Sequence, residues 1–195
     1  MKKSVKVTII VVGVLLIIIG IIASIVGKFI GVYNDMVVKS ESVDTAFADL
    51  DVVLQRRADL IPNLVSTVKG ASAHEQKIID SVTSARANLM QADGVSEKAE
   101  ANASLSGAIT NFLVMVEQYP DIKATAEFTR LQDELAGSEN RISTARRDYN
   151  NVVKEYNAYI IKFPNNIIAS MFNMEKAEYF EADGGSKDAP VVDFN

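Results

Sequence analysis

Twenty consecutive residues, Val7 to Val26, run without a single charge: VTIIVVGVLLIIIGIIASIV. At about 1.5 Å of rise per residue, a helix of that length reaches roughly 30 Å, the thickness of a bilayer's hydrocarbon core. Lys2, Lys3 and Lys6 precede the run, whereas Lys28 and Lys39 beyond it are diluted by Asp35 and Glu41. The positive-inside rule then keeps the N-terminus in the cytoplasm and carries the remainder across. A cleaved signal peptide has a shorter apolar region, about 7–15 residues, ending at small residues. Ala23-Ser24-Ile25 is a poor match to such a site, so Val7 and Val26 bound a retained anchor. Gly13 and Gly20 stand seven apart, which is not the four-residue spacing of a dimerising glycine pair.

The predicted organisation is a cytoplasmic stub at 1–6, a transmembrane helix at 7–27, a helical domain at 28–180 and a flexible tail at 181–195. The tail contains Gly184-Gly185 and Pro190. With 20 basic and 25 acidic residues the net charge is −5, which offers no clustered positive surface for nucleic acid. Zero cysteines exclude disulfides, zinc–thiolate sites, a thiol nucleophile and lipoprotein attachment.

Beyond the anchor no β-branched alternation between turn pairs occurs, and helical periodicity dominates. One apolar seam runs Tyr33, Met36, Ser40, Val43, Phe47, Leu50, Leu54, Arg57, Ile61, Leu64, Val68. Pro62 falls inside it, removing one backbone hydrogen bond and crowding the carbonyl of Ala58, so a kink is expected there. The chain turns at Lys69-Gly70, and Ser72-Ala73-His74-Glu75 reads as a capping box opening a second helix to about Gln91. Ile78, Val82, Ala85 and Leu89 line that helix. Asp93-Gly94 turns the chain into an alanine-rich helix over about 96–118, with Leu105, Ile109, Phe112 and Val116 on one side. A last helix is predicted from an Asp121 N-cap to a stop at Pro164. Its seam steps through 124, 128, 131, 135, 138, 142, 145, 149, 152, 156, 159 and 163. The expected fold is all-α: the transmembrane helix, then an antiparallel up-down-up-down four-helix bundle with two long and two short helices joined by short turns.

Arg57 is the charged residue of the first seam. Counting back from the turns places it opposite residue 137 of the last helix, where Gly137 and Ser138 leave space and Glu134 and Glu139 offer carboxylates. An unpaired buried charge is very costly, so Arg57 is expected to pair with Glu134 or Glu139. Such a pair either fixes helix register or marks a ligand site, with register the commoner use.

These stretches also carry a resemblance. Arg56-Arg57-Ala58-Asp59-Leu60-Ile61-Pro62-Asn63-Leu64-Val65 is followed by Val68-Lys69-Gly70 and His74-Glu75. Tyr119-Pro120-Asp121, Phe128-Thr129-Arg130-Leu131, Glu139-Asn140-Arg141-Ile142, Tyr149-Asn150, Tyr156-Asn157, Phe163-Pro164 and Tyr179-Phe180-Glu181 come later, in that order. From Tyr33 to Glu181 the chain resembles the LemA family of bacterial membrane proteins. The resemblance implies an anchored four-helix bundle at the bacterial inner membrane and supplies no activity. Two positions depart from the family pattern: Ala71 replaces a tyrosine, and Asn173-Met174 replaces a Gly-Phe pair. Asparagine tolerates a left-handed turn, which makes the second change mild.

No catalytic, cofactor or metal set emerges. His74 beside Glu75 lacks the second ligand of a metal-binding helix pair. Adjacent acids such as Asp133-Glu134 point to different faces of their helix, and no serine sits in a nucleophile elbow. The positions of structural or interaction interest are therefore Arg57, Glu134, Glu139, Pro62, Gly70, His74, Asn140 and Arg141. Tyr149, Tyr156, Tyr159 and Phe163 read as an aromatic seam. Just past Pro164, the apolar turn holding Ile167, Ile168, Met171 and Phe172 either dips into the lipid interface or caps the base of the bundle. The expected function is a non-enzymatic interaction or scaffold module that uses helical surfaces for a protein partner or for self-association, with no small-molecule substrate. An enzyme or metal-dependent factor built on His74, Glu75 and Arg56–Asp59 is the alternative, and membrane remodelling through the basal turn a third.

Overall fold

The computed structural model describes the backbone of residues 3–68 and 73–181, and the side chains of 10–68 and 75–181. Six helices and no strand occur among the described residues: α1 (Lys3–Ser66), α2 (Ala73–Gln91), α3 (Gly94–Val116), α4 (Pro120–Lys123), α5 (Ala126–Ile161) and α6 (Asn165–Met171). The expected turn at Gly70 and the Ser72 cap lie outside the described residues, as do the side chain of His74 and the tail from residue 182. The chain divides into two compact units, one from Met1–Ser42 and Glu155–Lys176, the other from Val43–Lys154 and Ala177 onward.

In the first unit, α1 is long and apolar enough to cross a membrane. Apart from Gly13, every residue from Ile10 to Val26 is exposed, so none of the described residues covers that surface. The helix does not stop at residue 27 but continues without a break. Farther along, Asp35 accepts a hydrogen bond from Tyr159 Oη at 2.9 Å. Lys39 approaches Glu155 at 3.8 Å and stacks over the Tyr159 ring. Burial and the bond to Asp35 both raise the Tyr159 hydroxyl above the usual tyrosine range.

The second unit holds one apolar cluster fed by four helices. Ala58, Ile61 and Leu64 of α1 meet Ile79, Val82, Ala85 and Leu89 of α2. Leu105, Ile109, Phe112 and Val116 of α3 and Phe128, Leu131 and Leu135 of α5 complete it. Within α2 it is Ile79 rather than Ile78 that is buried, while the α3 stripe follows the predicted spacing. Asp93 and Gly94 make the turn between them: Gly94 takes φ +78°, which a side chain would strain, and the Asp93 N–H donates to Glu97 at 3.0 Å.

The single last helix expected from Asp121 is two elements. Pro120 occupies the first turn of α4, where its missing N–H has no consequence, and Tyr119 rather than Asp121 is the N-cap. Helix α5 then restarts at Thr125, whose Oγ1 accepts the Phe128 N–H at 3.2 Å. Ala124, predicted in the seam, is exposed in the gap between them. The far end of the seam also differs. Apart from half-buried Ala145, buried positions follow the forecast from Phe128 through Tyr149 but then read Val153, Tyr156, Asn157 and Ile160, and Phe163 is 82% exposed. A helix of about 3.6 residues per turn lags a strict seven-residue repeat by roughly 20° per heptad, so after four heptads the buried line has moved one residue forward.

Candidate functional site

Polar chemistry in the second unit concentrates around Arg57. The α1 seam carries it inward to 4% exposure between Leu54 and Ile61, both buried. Its Nη1 lies 2.9 Å from Glu139 Oε2 on α5 and donates to Asn102 Oδ1 on α3 at 3.2 Å. Beside Glu139, Ser138 is buried and donates its hydroxyl to the Leu135 carbonyl at 2.7 Å, while Gly137, expected to make room for Arg57, borders the Arg141 guanidinium instead. Burial lowers the Arg57 pKa and Glu139 offsets part of that effect. The guanidinium is thus already matched by a carboxylate and an amide, which leaves it as a tie between three helices rather than an open anion receptor.

Of the two acids expected to serve Arg57, Glu134 instead pairs with Arg130 one turn away at 3.2 Å. Asn140 and Arg141 are exposed, and the Arg141 guanidinium lies across Gly137. Pro62 does not end α1, which continues to Ser66. The carbonyl of Ala58 that Pro62 deprives of a donor receives the Arg86 Nε–H at 2.9 Å, while Arg86 Nη2 stands 3.9 Å from Asp59.

Three features were not visible in the sequence. Asn102 is the third member of the Arg57 group; an asparagine in mid-helix on the Leu105 side is a faint signal for a buried polar contact. Lys98 on α3 reaches Asp51 on α1 at 2.7 Å. The ammonium approaches Asp51 Oδ1 as a point charge, off the hydrogen-bonding direction. The pair edges a cleft of about 170 Å³ with Leu54, Gln55, Leu89 and Met90. The third is a C-terminal strap. Tyr149 Oη donates to the Glu178 carbonyl at 2.8 Å, and the Asn150 amide bonds both the N–H and the C=O of Phe180, at 2.9 and 3.1 Å. Phe180 is buried, and Ser96 Oγ lies 3.3 Å from Glu178.

Burial, with Glu178 and Asp44 nearby, pushes the Tyr149 hydroxyl up to about 12 from the usual 10. The folded protein then keeps a proton that the unfolded chain loses, so stability is full below pH 10 and falls as the pH rises toward about 12. Tyr149→Phe is expected to cost about 1 kcal/mol at neutral pH, the net worth of one hydrogen bond. It should also flatten the alkaline decline, as read from urea midpoints between pH 7 and pH 12. An unchanged alkaline slope would remove Tyr149 as its source.

Among the described residues, no three histidine, aspartate or glutamate side chains converge on a metal-sized site. Among the described residues the geometry is all-helical, with one apolar N-terminal helix and a paired, buried arginine in the second unit. A sequence profile of the LemA family matches residues 46–194, and the chain belongs to that family. Magnetosome protein MamQ 2 of Paramagnetospirillum magneticum is 28% identical over 82% of this chain and 68% of its own length. Magnetosome protein MamQ of Magnetospirillum gryphiswaldense is 24% identical with the same coverage. Protein LemA of Metamycoplasma hominis is 24% identical over 79% of this chain and 71% of its own. Arg57, Glu139, Tyr149, Asn150 and Phe180 all lie inside the matched segment.

Proposed function

We propose that this protein is a single-pass membrane protein with its N-terminus in the cytoplasm, holding a non-enzymatic helical interaction module outside. The observation that carries this reading is the exposure of the whole apolar face from Ile10 to Val26, a surface stable only when lipid covers it. Lys2, Lys3 and Lys6 on one flank set the orientation. In the second unit, α1, α2, α3 and α5 form an antiparallel up-down-up-down bundle. Support for this comes from the apolar cluster they share and from the two-residue link between α2 and α3. The polar groups at its centre already satisfy one another, which favours a structural tie over a reaction centre and leaves the outer helix faces for a partner or a second copy.

Protease added to spheroplasts should digest the chain beyond residue 28 and spare an N-terminal tag, and alkaline carbonate should leave the anchor in the membrane pellet. A protein released by carbonate, or protected from the protease, would overturn the reading. Crosslinking in intact membranes should then capture a protein partner or a second copy. Stoichiometric metal in the purified chain, lost in His74→Ala, would replace the interaction role by a metal-dependent one.

A further inference from the structure

We infer that Ile161, Phe163, Ile167, Met171 and Phe172 form a second membrane contact, an apolar foot that lies in the interface of the leaflet from which α1 emerges. All five are exposed, and Phe163 is nearly bare. Their exposure does not come from loose chain. The Asn165 amide donates to the Tyr159 carbonyl at 3.0 Å, closing the end of α5. Helix α6 ends in a Schellman turn: Met174 N–H bonds the Ala169 carbonyl at 2.9 Å, and Asn173 N–H reaches Ser170 at 3.5 Å. Asn173 holds the left-handed position, φ +52°, that this turn requires.

The sequence leaves two roles open for this segment, and the structure divides them between residues. Ile168 and Ala169 are buried and serve the packing of the unit, so Ile168 leaves the set of candidate interfacial residues. On a helix, neighbours at 167 and 171 share the opposite face, which is the face left bare. Removing the exposed five from water therefore requires something outside the unit.

Lipid is the occupant by continuity. The Phe172 ring packs on Tyr33 at 4.4 Å and on Phe29 at 6.1 Å. Phe29 lies three residues beyond Val26, roughly 4.5 Å along the helix axis. A surface fastened that close to the end of a spanning segment faces headgroups. Its charge agrees, because residues 161–174 contain one ionisable group, Lys162, and no acid. Apolar side chains flanked by a lysine suit an anionic interface, where the ammonium meets phosphate and the rings enter the acyl boundary.

This inference rests on the spanning role of α1, and the experiment keeps the two apart. The chain has no cysteine, so single labels are unambiguous. The full-length variants Phe163→Cys, Met171→Cys, Ile17→Cys and Ser143→Cys would each carry an environment-sensitive NBD dye, reconstituted in phosphatidylcholine–phosphatidylglycerol vesicles. Ser143 is an exposed position of the second unit, and Ile17 lies mid-run. The expected result is blue-shifted emission at 163 and 171, quenched by lipids spin-labelled near the headgroup and shielded from iodide. The label at 17 should respond to deeply spin-labelled lipid and the one at 143 to iodide. Iodide quenching at 163 and 171 with 17 still in lipid would overturn the foot and leave the span. A water-exposed label at 17 would overturn both.

Discussion

Glu139→Ala is expected to destabilise the protein by about 2–3 kcal/mol, more than Arg57→Met, although the two changes break the same ion pair. The asymmetry follows from where each charge goes. Glu139 is 57% exposed on its side chain, so without Arg57 it returns to water at little cost. Arg57 has no such exit, being 4% exposed between the buried Leu54 and Ile61 of its seam. Stripped of its carboxylate, it keeps the Asn102 amide alone among the described residues. The figure stays below that of a fully buried pair because water reaches the Glu139 side. A methionine at 57 fills similar volume with no charge to satisfy. Urea titration of the chain in detergent, followed by circular dichroism, measures both. Equal costs, or a larger one for Arg57→Met, would show that the enclosed guanidinium is not the source of the penalty. If the pair also sets register, Arg57→Met should retain stability while amide exchange in α3 and α5 quickens.

A second large effect should come from Arg86→Leu, at about 2 kcal/mol, the cost of leaving a buried carbonyl unpaired. The argument begins at Pro62. Proline has no N–H to give the residue four positions earlier, and that residue, Ala58, is wholly buried. Arg86 Nε supplies the missing donor. Its 3.9 Å approach to Asp59 is long and partly exposed, and adds little. Pro62→Ala restores a backbone donor from within α1, so in that background the cost of Arg86→Leu should shrink to below about 1 kcal/mol. Equal costs in both backgrounds would mean that Arg86 acts only through its charge.

These two sites show where the chain is legible and where it is not. Arg57 stands in an apolar seam whose period can be counted, and small residues beside acids lie at the matching height of the last helix. The Ala58 carbonyl was likewise marked by Pro62 alone. Arg86, the donor that relieves it, was not, because its position follows from how α2 packs rather than from any local pattern. Asn102, Lys98 and Asn150 were missed for the same reason: each pairs with a group at least 30 residues away. A strict seven-residue count failed at the end of α5, where the mismatch with the helical repeat accumulates, and it misplaced Phe163. Thr125 was overlooked because the nearby Asp121 offered a stronger-looking cap after a proline.

The strap pinned by Tyr149, Asn150 and Ser96 bears on how this polypeptide is made. Its contact at Phe180 follows all six described helices in chain order, so it leaves the ribosome after them. Any product ending between Met171 and Phe180 contains the sequence of every described helix but lacks the partners of the Asn150 side-chain amide and the residue that fills an apolar seat. Truncated copies thereby differ from finished ones at a solvent-reachable seam, a mark on which quality-control proteases can act.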